Sequence, residues 1–201
     1  MTSPSAGPVA GRVRRWVAIL GAVCLVAGVL VLALRPPHDI GTVPVAGPAH
    51  GSPVAPGLAP ATVTIRGVDV PVVPVSTALD GSLTLPDEPS TVGWWSPGAL
   101  PGSGSGSVVL AGHVDSRLLG LGAFAVLREL GVGERITLRG DDGRDVAYDV
   151  VARREYRKAE LPPDLFARDG AARLVLITCG GRFDSTTRSY DDNVVVFAEP
   201  L

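Results

Sequence analysis

The sequence predicts an all-β domain of about eight short strands, closed into a barrel or stacked as a sandwich, behind an N-terminal membrane segment. Three observations support this prediction. Residues 61–201 hold short runs rich in Val, Ile, Leu and Thr that are separated by Gly, Pro and Asp. Segments with helical spacing are few in this part of the chain. Residues 16–34, by contrast, are apolar throughout and carry no charge.

The composition limits both the core and the partners of the domain. Of the 201 residues, 46% are hydrophobic but only 5% are aromatic, so aliphatic side chains must fill most of the core. Residues 61–201 carry 14 Lys and Arg against 19 Asp and Glu, a formal net charge of −5. Such an acidic domain argues against nucleic acid as a partner, because phosphate binding needs clustered positive charge.

The first 60 residues predict three segments ahead of the domain. Residues 1–15 are rich in Pro, Ser and Gly and end in a basic cluster, which predicts a disordered cytoplasmic tail. Residues 16–35 are expected to form a transmembrane signal anchor, since the apolar run is long enough for a hydrocarbon core of about 30 Å. Residues 36–60, dominated by Pro, Gly, Ala and Val, predict an extended spacer.

The charges around the apolar run predict the orientation of the chain in the membrane. Basic residues dominate the N-terminal flank, so the N-terminus should stay in the cytoplasm and residues 61–201 should lie outside. A cleavable signal peptide is the alternative. The length of the run, and the Arg-Pro-Pro sequence at residues 35–37 that ends it, favour an uncleaved anchor.

The first part of the domain predicts two strands and a short third one. Residues 61–66 alternate between apolar and polar types, as a half-buried strand does. Residues 68–75 form a second β-rich run, which Pro71 and Pro74 mark as an edge strand or an irregular strand. A short strand is expected at residues 83–85.

The middle of the domain predicts one buried strand and one helix. Trp94 and Trp95 open a long loop rich in Gly, Ser and Pro, and their rings are expected to pack in the core or at its rim. Residues 107–112 form an apolar run that predicts a buried strand ending at His113. Residues 121–130 have the apolar spacing of a helix.

The last part of the domain predicts a hairpin with an Asp-Asp-Gly turn, a short helix that begins with two prolines, and two further strands. In chain order these elements are residues 134–139 and 144–154, residues 162–168, and residues 173–179 and 193–198, with a loop at residues 180–192. The strand at residues 173–179 is expected to end at Cys179, because two glycines follow and favour a tight turn.

The domain contains one cysteine and one histidine, Cys179 and His113, and each follows a buried strand. In a closed sheet, neighbouring strand ends can bring the two together although 66 positions separate them in the sequence. A cysteine nucleophile acts as its thiolate, and an adjacent imidazole can take the thiol proton and later protonate a leaving amine. An arginine beside them could stabilise a developing oxyanion.

On these residues alone, less specific interpretations stay open. A cysteine at the end of a buried strand is often an inert core residue, and a histidine beside Asp115 is often only a hydrogen-bonded loop residue. One cysteine and one histidine do not supply the usual zinc ligand set, so no metal site is expected. Cys24 lies in the apolar run, so no disulfide with Cys179 is expected either.

The run Ala-Gly-His-Val-Asp at residues 111–115, followed by Leu-Ile-Thr-Cys at residues 176–179, resembles the sortase family of cysteine transpeptidases. In detail the chain is closer to the actinobacterial class F type. The resemblance spans residues 61–199. The similar segments are residues 67–75, 92–98, 109–115, 122–124, 178–184 and 190–196.

This resemblance implies an eight-stranded sortase β-barrel with short helices in the connections. It also implies that Cys179 attacks the Thr carbonyl of an LPXTG-like C-terminal sorting signal in a secreted protein and forms a thioester. An amine of a cell-wall precursor, or of another protein, would then take over the acyl group. His113 would be the general acid and base. No cofactor is implied, and we expect a monomer that is bound to the membrane through its N-terminal helix.

The position of the family's arginine departs from the common pattern in this chain. In many sortases it stands directly before the apolar stretch of the last strand, where this chain has Asn193. Arg188 is the nearest arginine upstream in the same segment and is assigned the role, with Arg182 as the second candidate. Asp115 and Asn193 are expected to support the catalytic groups without reacting themselves.

Two other functions are compatible with the same residues. A cysteine hydrolase or an L,D-transpeptidase also uses a Cys/His pair outside the membrane, although the Ser-His-Gly-Cys-like motif of the latter is absent here. A non-enzymatic, tethered β-barrel that binds wall polymer or a partner protein would bury Cys179 as an inert thiol. The sortase-type transpeptidase is the function that we expect first.

Overall fold

The structure is a computed structural model, and it describes residues 39–44, 57–78 and 81–201. The expected cytoplasmic tail (residues 1–15), the signal anchor (residues 16–35) and most of the spacer (residues 36–60) lie outside these residues, as does Cys24. Within the described ranges, no helix is both long and apolar enough to cross a membrane.

The described part of the chain is built almost entirely from β-strands. Its helices are single 3₁₀ turns at Ala125–Arg128, Lys158–Glu160 and Pro163–Phe166. The strands in chain order are β1 (Ile40–Gly41), β2 (Pro60–Ile65), β3 (Val68–Val75), β4 (Val92–Trp95), β5 (Ser107–Ala111), β6 (Asp115–Ser116), β7 (Gly120–Leu121), β8 (Arg135–Gly140), β9 (Asp145–Arg157), β10 (Arg173–Asp184) and β11 (Ser189–Pro200).

Eight of these strands close into a barrel. Their order is β8-β2-β3-β4-β5-β10-β11-β9, and pairing between β9 and β8 closes the ring. The two-residue strand β1 adds to β9, and β6 and β7 form a separate two-stranded hairpin. The predicted all-β barrel of eight strands with short helices in its connections is therefore confirmed.

Strands β5, β10 and β11 each contain an apolar run whose two faces are both buried, at residues 108–111, 174–177 and 194–198. In β10, Leu174 and Leu176 belong to the larger core, which fills the barrel. The alternate residues Val175 and Ile177 pack on the opposite face in a smaller core, with Leu165 of the 3₁₀ turn Pro163–Phe166. Side chains on a strand point alternately to its two faces, so a strand buried on both faces must be apolar at every position.

The helix predicted over residues 121–130 is wrong. Gly120–Leu121 is strand β7, and only Ala125–Arg128 forms a 3₁₀ turn. Phe124, Leu127 and Leu130 are all fully buried in the barrel core. Only Leu127 lies in the 3₁₀ turn, whereas Phe124 precedes it and Leu130 follows it, so one turn and its flanking residues bury all three side chains without an α-helix.

The prediction of an edge or irregular strand at Val68–Val75 is also corrected. Strand β3 is continuous and lies between β2 and β4. Its neighbours change along its length, since β2 pairs as far as Pro71 and β4 pairs from Val72 onward. Each neighbour covers only half of the strand, which is how two prolines are accommodated within a barrel strand.

Two further local predictions differ from the structure. The strand expected at residues 83–85 is reduced to one bridge between Thr77 and Leu83. Trp94 and Trp95 do not open a loop but end strand β4, and both rings are buried as expected. By contrast, the predicted β8–β9 hairpin and the short helix after the two prolines are confirmed, with bounds that shift by one to three residues.

Candidate active site

In the barrel, His113 and Cys179 lie at equivalent positions relative to two neighbouring parallel strands. Strands β5 and β10 are parallel neighbours, and their last paired residues are Ala111 and Ile177. His113 and Cys179 each follow two positions later, so the two side chains leave adjacent strands at equivalent places. The 65 residues between them in the sequence are the connection that returns the chain to a parallel neighbour.

Hydrogen bonds around Gly112 fix this juxtaposition. The Gly112 amide donates to the carbonyl of Ile177 at 3.1 Å. The hydroxyl of Thr178, which is buried, donates to the carbonyl of Gly112 at 2.8 Å. The residue before the histidine is therefore bonded twice to the strand that carries the cysteine.

One cavity of about 890 Å³ contains the three residues that the sequence assigned to catalysis. His113, Cys179 and Arg188 all line it, as does Asp115. Cys179 and His113 are half-buried, whereas Arg188 is exposed. A volume of this size lies in the range of ligand-binding pockets.

The imidazole of His113 is oriented by a backbone carbonyl. Its Nε2 lies 2.9 Å from the carbonyl oxygen of Pro86. A carbonyl oxygen only accepts hydrogen bonds, so Nε2 carries the proton and Nδ1 is the basic nitrogen of the neutral ring. The segment before strand β4, which the sequence did not link to the site, thus fixes the tautomer of His113.

The backbone of His113 is packed against Gly122, which explains the glycine at that position. A Cβ at Gly122 would lie 2.2 Å from the carbonyl oxygen of His113. That same carbonyl accepts a hydrogen bond from the Phe124 amide at 3.1 Å, and the Gly122 amide donates to Val114 at 3.0 Å. The loop that carries His113 is therefore held close to the start of the 3₁₀ segment.

The strand that carries Cys179 does not end there, contrary to the sequence prediction. Strand β10 continues to Asp184 and β11 begins at Ser189, so the expected loop at residues 180–192 shrinks to a turn at residues 185–188. An irregularity in the pairing lies between Gly180 and Phe183. Gly181 has a φ of +72°, which favours glycine, so the two glycines bend a continuing strand instead of stopping it.

Arg188 is the last residue of the β10–β11 turn. The carboxylate of Asp184 organises this turn, since it accepts hydrogen bonds from the Thr186 amide at 2.8 Å and from the Thr187 hydroxyl at 3.1 Å. Arg188 has a φ of +53°, a left-handed conformation that few non-glycine residues adopt. From this turn, the side chain of Arg188 lines the cavity.

Of the other two candidate residues, Arg182 lies away from the cavity and Asn193 lies beside Cys179. Arg182 is highly exposed and pairs with Asp191 at 3.5 Å, and it does not line the cavity. Asn193 is the cross-strand partner of Cys179 in the pairing of β10 with β11. Directly paired residues project to the same face of a sheet, so Asn193 lies beside the cysteine.

Asp115 contacts Tyr190, a residue that the sequence analysis did not assign to the site. The Tyr190 hydroxyl donates a hydrogen bond to the Asp115 carboxylate. This hydrogen bond, together with partial burial, raises the pKa of Tyr190 above its ordinary value. The ring of His113 makes its hydrogen bond to Pro86 and not to Asp115.

Sequence analysis also missed three basic residues at or near the site. Arg117 and Lys158 line the same cavity as Arg188, and Lys158 donates to the Ser189 hydroxyl at 2.8 Å. Arg128 approaches Cys179 from the 3₁₀ turn, with Nη2 3.4 Å from the Cys179 carbonyl oxygen. Lys158 is distinctive in the sequence as the one lysine of the chain, whereas Arg117 and Arg128 are placed here only by the fold.

The described residues offer no cluster of three or more His, Cys, Asp or Glu side chains that could hold a metal ion. A second cavity, of about 460 Å³, adjoins the first, and Val114 and Asp115 line both. Its other walls include Arg128 and Glu129.

Comparison with known proteins agrees with this architecture. The family model described as "Sortase domain" matches residues 62–201. Similar solved structures include the lid-mutant of Streptococcus agalactiae sortase C1 (21% identity, TM-score 0.53, 70% of this chain and 68% of that chain). Sortase A from Corynebacterium diphtheriae is similar at 19% identity and TM-score 0.54, with 73% of this chain and 61% of that chain covered.

Sortase C-1 from Actinomyces oris is similar at 20% identity and TM-score 0.55, with 70% of this chain and 72% of that chain covered. At these identities the structural likeness concerns the fold, whereas the family match rests on the sequence. No curated protein matches the chain.

Proposed function

Because this chain belongs to the sortase family, we propose that it is a cysteine transpeptidase that cleaves an LPXTG-like C-terminal sorting signal. The cleaved protein is then transferred to an amine of the cell wall or of another protein. The observation that carries the proposal is the placement of Cys179 and His113, two residues beyond the paired Ile177 and Ala111, in the wall of one cavity.

The first step joins the substrate to Cys179. His113 takes the proton of the thiol, and Sγ attacks the carbonyl carbon of the Thr in the sorting signal. The tetrahedral intermediate then breaks its C–N bond, and the imidazolium of His113 gives its proton to the leaving amine. The products are a thioester on Cys179 and a released fragment with a new N-terminal amine.

The second step transfers the acyl group to the acceptor. A primary amine attacks the thioester carbonyl while neutral His113 takes the proton from its nitrogen. Collapse of the second tetrahedral intermediate breaks the C–S bond and returns the sulfur, which recovers its proton from His113. Attack by water in place of the amine would give a free acid, so the partition between the two products measures transferase character.

Positive charge in the cavity suits the oxyanion of both tetrahedral intermediates. Arg117, Lys158 and Arg188 line the cavity together with one carboxylate, that of Asp115. In our proposal Arg188 binds the substrate carbonyl, because guanidinium donors stabilise charge that develops on oxygen. The left-handed backbone conformation of Arg188 supports this role, since unusual backbone conformations are concentrated at functional sites.

The cellular setting is part of the proposal. Residues 1–15 are a cytoplasmic tail, residues 16–35 a single-pass anchor, residues 36–60 a spacer and residues 61–201 the catalytic domain outside the membrane. Uncharged residues 16–34 behind a basic flank support this arrangement. The segments at residues 178–184 and 190–196 support the actinobacterial class F type. The enzyme acts as a monomer without a cofactor.

The test uses the full chain in detergent with a fluorogenic LPXTG-type peptide, in the presence and absence of an amine acceptor such as triglycine. Wild type should cleave the peptide and give the amide product with the amine. Cys179→Ala should lose more than 99% of the cleavage, whereas Cys24→Ala, which removes the other cysteine, should retain it. Full activity of Cys179→Ala would overturn the proposal. Free acid as the sole product would make the protein a cysteine hydrolase.

A further inference from the structure

We propose that Arg128 is a positioning residue of this active site, which fixes the backbone of Cys179 relative to the loop that carries His113. The inference rests on the proposed transpeptidase function. Arg128 lies 51 positions before Cys179 in the sequence, on the 3₁₀ turn Ala125–Arg128. It belongs to none of the segments that carry the resemblance to sortases.

Arg128 occupies the edge of β10 that β5 leaves open. The last pair between the two strands is Ala111 and Ile177, and the Ile177 carbonyl accepts from the Gly112 amide. Along a strand, carbonyls two residues apart point to the same side, so the Cys179 carbonyl points to the side that β5 has left. Arg128 fills that place, with Nη2 3.4 Å from the Cys179 carbonyl oxygen.

The same guanidinium also reaches toward the histidine loop. The Arg128 Cζ atom lies 5.3 Å from the centre of the Tyr190 ring, within the range of a cation–π contact. The Tyr190 hydroxyl donates to Asp115, which stands two residues after His113. A continuous set of contacts therefore runs from the Cys179 carbonyl through Arg128, Tyr190 and Asp115 to the loop of His113.

This arrangement suits arginine better than lysine. A guanidinium is planar, so it can donate at its edge to a carbonyl while its face lies against an aromatic ring. An ammonium can make either contact but has no flat face with which to make both. The set of contacts also keeps the Cys179 thiol in register with the loop of His113, the residue that takes its proton.

The expected consequence is an effect on turnover with little effect on substrate binding. If Arg128 holds Cys179 and His113 in register, its loss should lower kcat, since misplacement of reacting groups by about 1 Å costs up to about 100-fold. The KM for the peptide should stay within twofold, because Arg128 does not line the cavity that contains Cys179. Lysine should restore only part of the turnover.

The experiment compares Arg128→Gln, Arg128→Lys, Tyr190→Phe and the double variant Arg128→Gln/Tyr190→Phe, all as full chains in detergent. We expect kcat to fall at least tenfold in Arg128→Gln and less in Arg128→Lys, with unchanged KM. The double variant should lose no more than the worse single variant, because both changes break the same set of contacts. Glu129→Gln, which changes the exposed residue directly after this turn, is the matched control and should keep wild-type kcat.

A second readout separates this inference from the proposed function. The rate at which iodoacetamide alkylates Cys179 at pH 7 needs no sorting peptide, and Arg128→Gln should slow it several-fold relative to Glu129→Gln. If wild type fails to cleave the peptide while this difference in alkylation persists, the transpeptidase function fails and the role of Arg128 stands. Equal alkylation rates, a kcat within twofold of wild type, or additive losses in the double variant would overturn the role of Arg128.

Discussion

The hydroxyl of Thr178 donates a hydrogen bond of 2.8 Å to the carbonyl of Gly112, so the residue before Cys179 is bonded to the residue before His113. Both groups are buried, and the bond lies just beyond the last paired residues of β5 and β10. The two candidate catalytic residues are thus joined through one hydrogen bond between their immediate chain neighbours.

Replacement of Thr178 by Val should therefore affect stability and turnover together. Valine has nearly the same shape but leaves the Gly112 carbonyl without its donor, which should cost about 1–3 kcal/mol of unfolding free energy. We also expect a several-fold lower kcat, because the strand ends can then shift relative to each other. Urea unfolding and peptide cleavage measure the two effects. Thr178→Ser keeps the hydroxyl and should remain close to wild type in both.

Gly122→Ala should displace the loop that carries His113. The new Cβ would lie 2.2 Å from the His113 carbonyl oxygen, a backbone atom that cannot move without its neighbours. We expect a loss of activity of tenfold or more, together with a lower melting temperature. Gly131→Ala is the matched control, because its Cβ would meet only the end of the Glu134 side chain at 3.5 Å. Equal activity of the two variants would mean that the loop position does not matter for catalysis.

Arg188 and Arg182 should differ sharply when each is replaced by Ala. Arg188 lines the cavity with Cys179 and is assigned to the substrate carbonyl, so its loss should lower kcat/KM about 100-fold or more. Arg182 makes one exposed ion pair, which contributes less than about 1 kcal/mol, and its loss should leave kcat/KM within twofold. Peptide cleavage measured side by side decides the assignment. The reverse order of effects would transfer the role to Arg182.

The ion pair between Glu134 and Arg66 should make stability depend on pH in the acid range. Arg66 donates to both oxygens of Glu134, at 2.7 and 2.8 Å, and this lowers the pKa of Glu134 to about 2. An unfolded glutamate titrates near 4.3, so the pair stabilises the fold above that pH and loses its contribution as the pH falls toward about 2. Glu134→Gln should be less stable than wild type at pH 6, with a smaller difference at pH 3.

Urea midpoints at the two pH values measure this effect. Because both side chains are partly exposed, the expected difference at pH 6 is below about 1 kcal/mol. Asp142→Asn is the control, because it removes the ion pair with Arg144 in the β8–β9 turn. Its change in unfolding free energy should add to that of Glu134→Gln in the double variant. A difference between Glu134→Gln and wild type that grows on acidification would contradict the account.

Much of the fold could be predicted because its signals are local. The apolar runs of β5, β10 and β11 and the Asp-Asp-Gly turn between β8 and β9 identify strands without knowledge of their neighbours. The single 3₁₀ turn could not be predicted from the sequence. The spacing of Phe124, Leu127 and Leu130 also fits a longer helix, and only the barrel core in which they are buried distinguishes the two. The sequence predicts that β10 ends at Gly180 and Gly181, because glycines are typical both of turns that end a strand and of bulges within a continuing strand.

In the candidate site, too, some residues could be predicted from local sequence and others could not. Cys179 and His113 follow local patterns, and a parallel pair of strands brings them to one level. Pro86 and Arg128 lie in no distinguishing sequence pattern, and each reaches the site from an element whose position depends on the closed barrel. Tyr190 opens one of the segments that resemble sortases, but its contacts with Asp115 and Arg128 appear only in the fold. Contacts of this kind are set by tertiary packing and not by local sequence.

The most direct test of the account is the detection of the thioester itself. The full chain is mixed with an LPXTG-type peptide without an amine acceptor, quenched in acid within one turnover, and analysed by intact and peptide mass spectrometry. We expect an adduct of the peptide's N-terminal part on Cys179 that hydroxylamine removes as a hydroxamate, and that His113→Gln forms much more slowly. Cleavage of the peptide without any adduct on Cys179, or with undiminished rate in Cys179→Ala, would contradict the account.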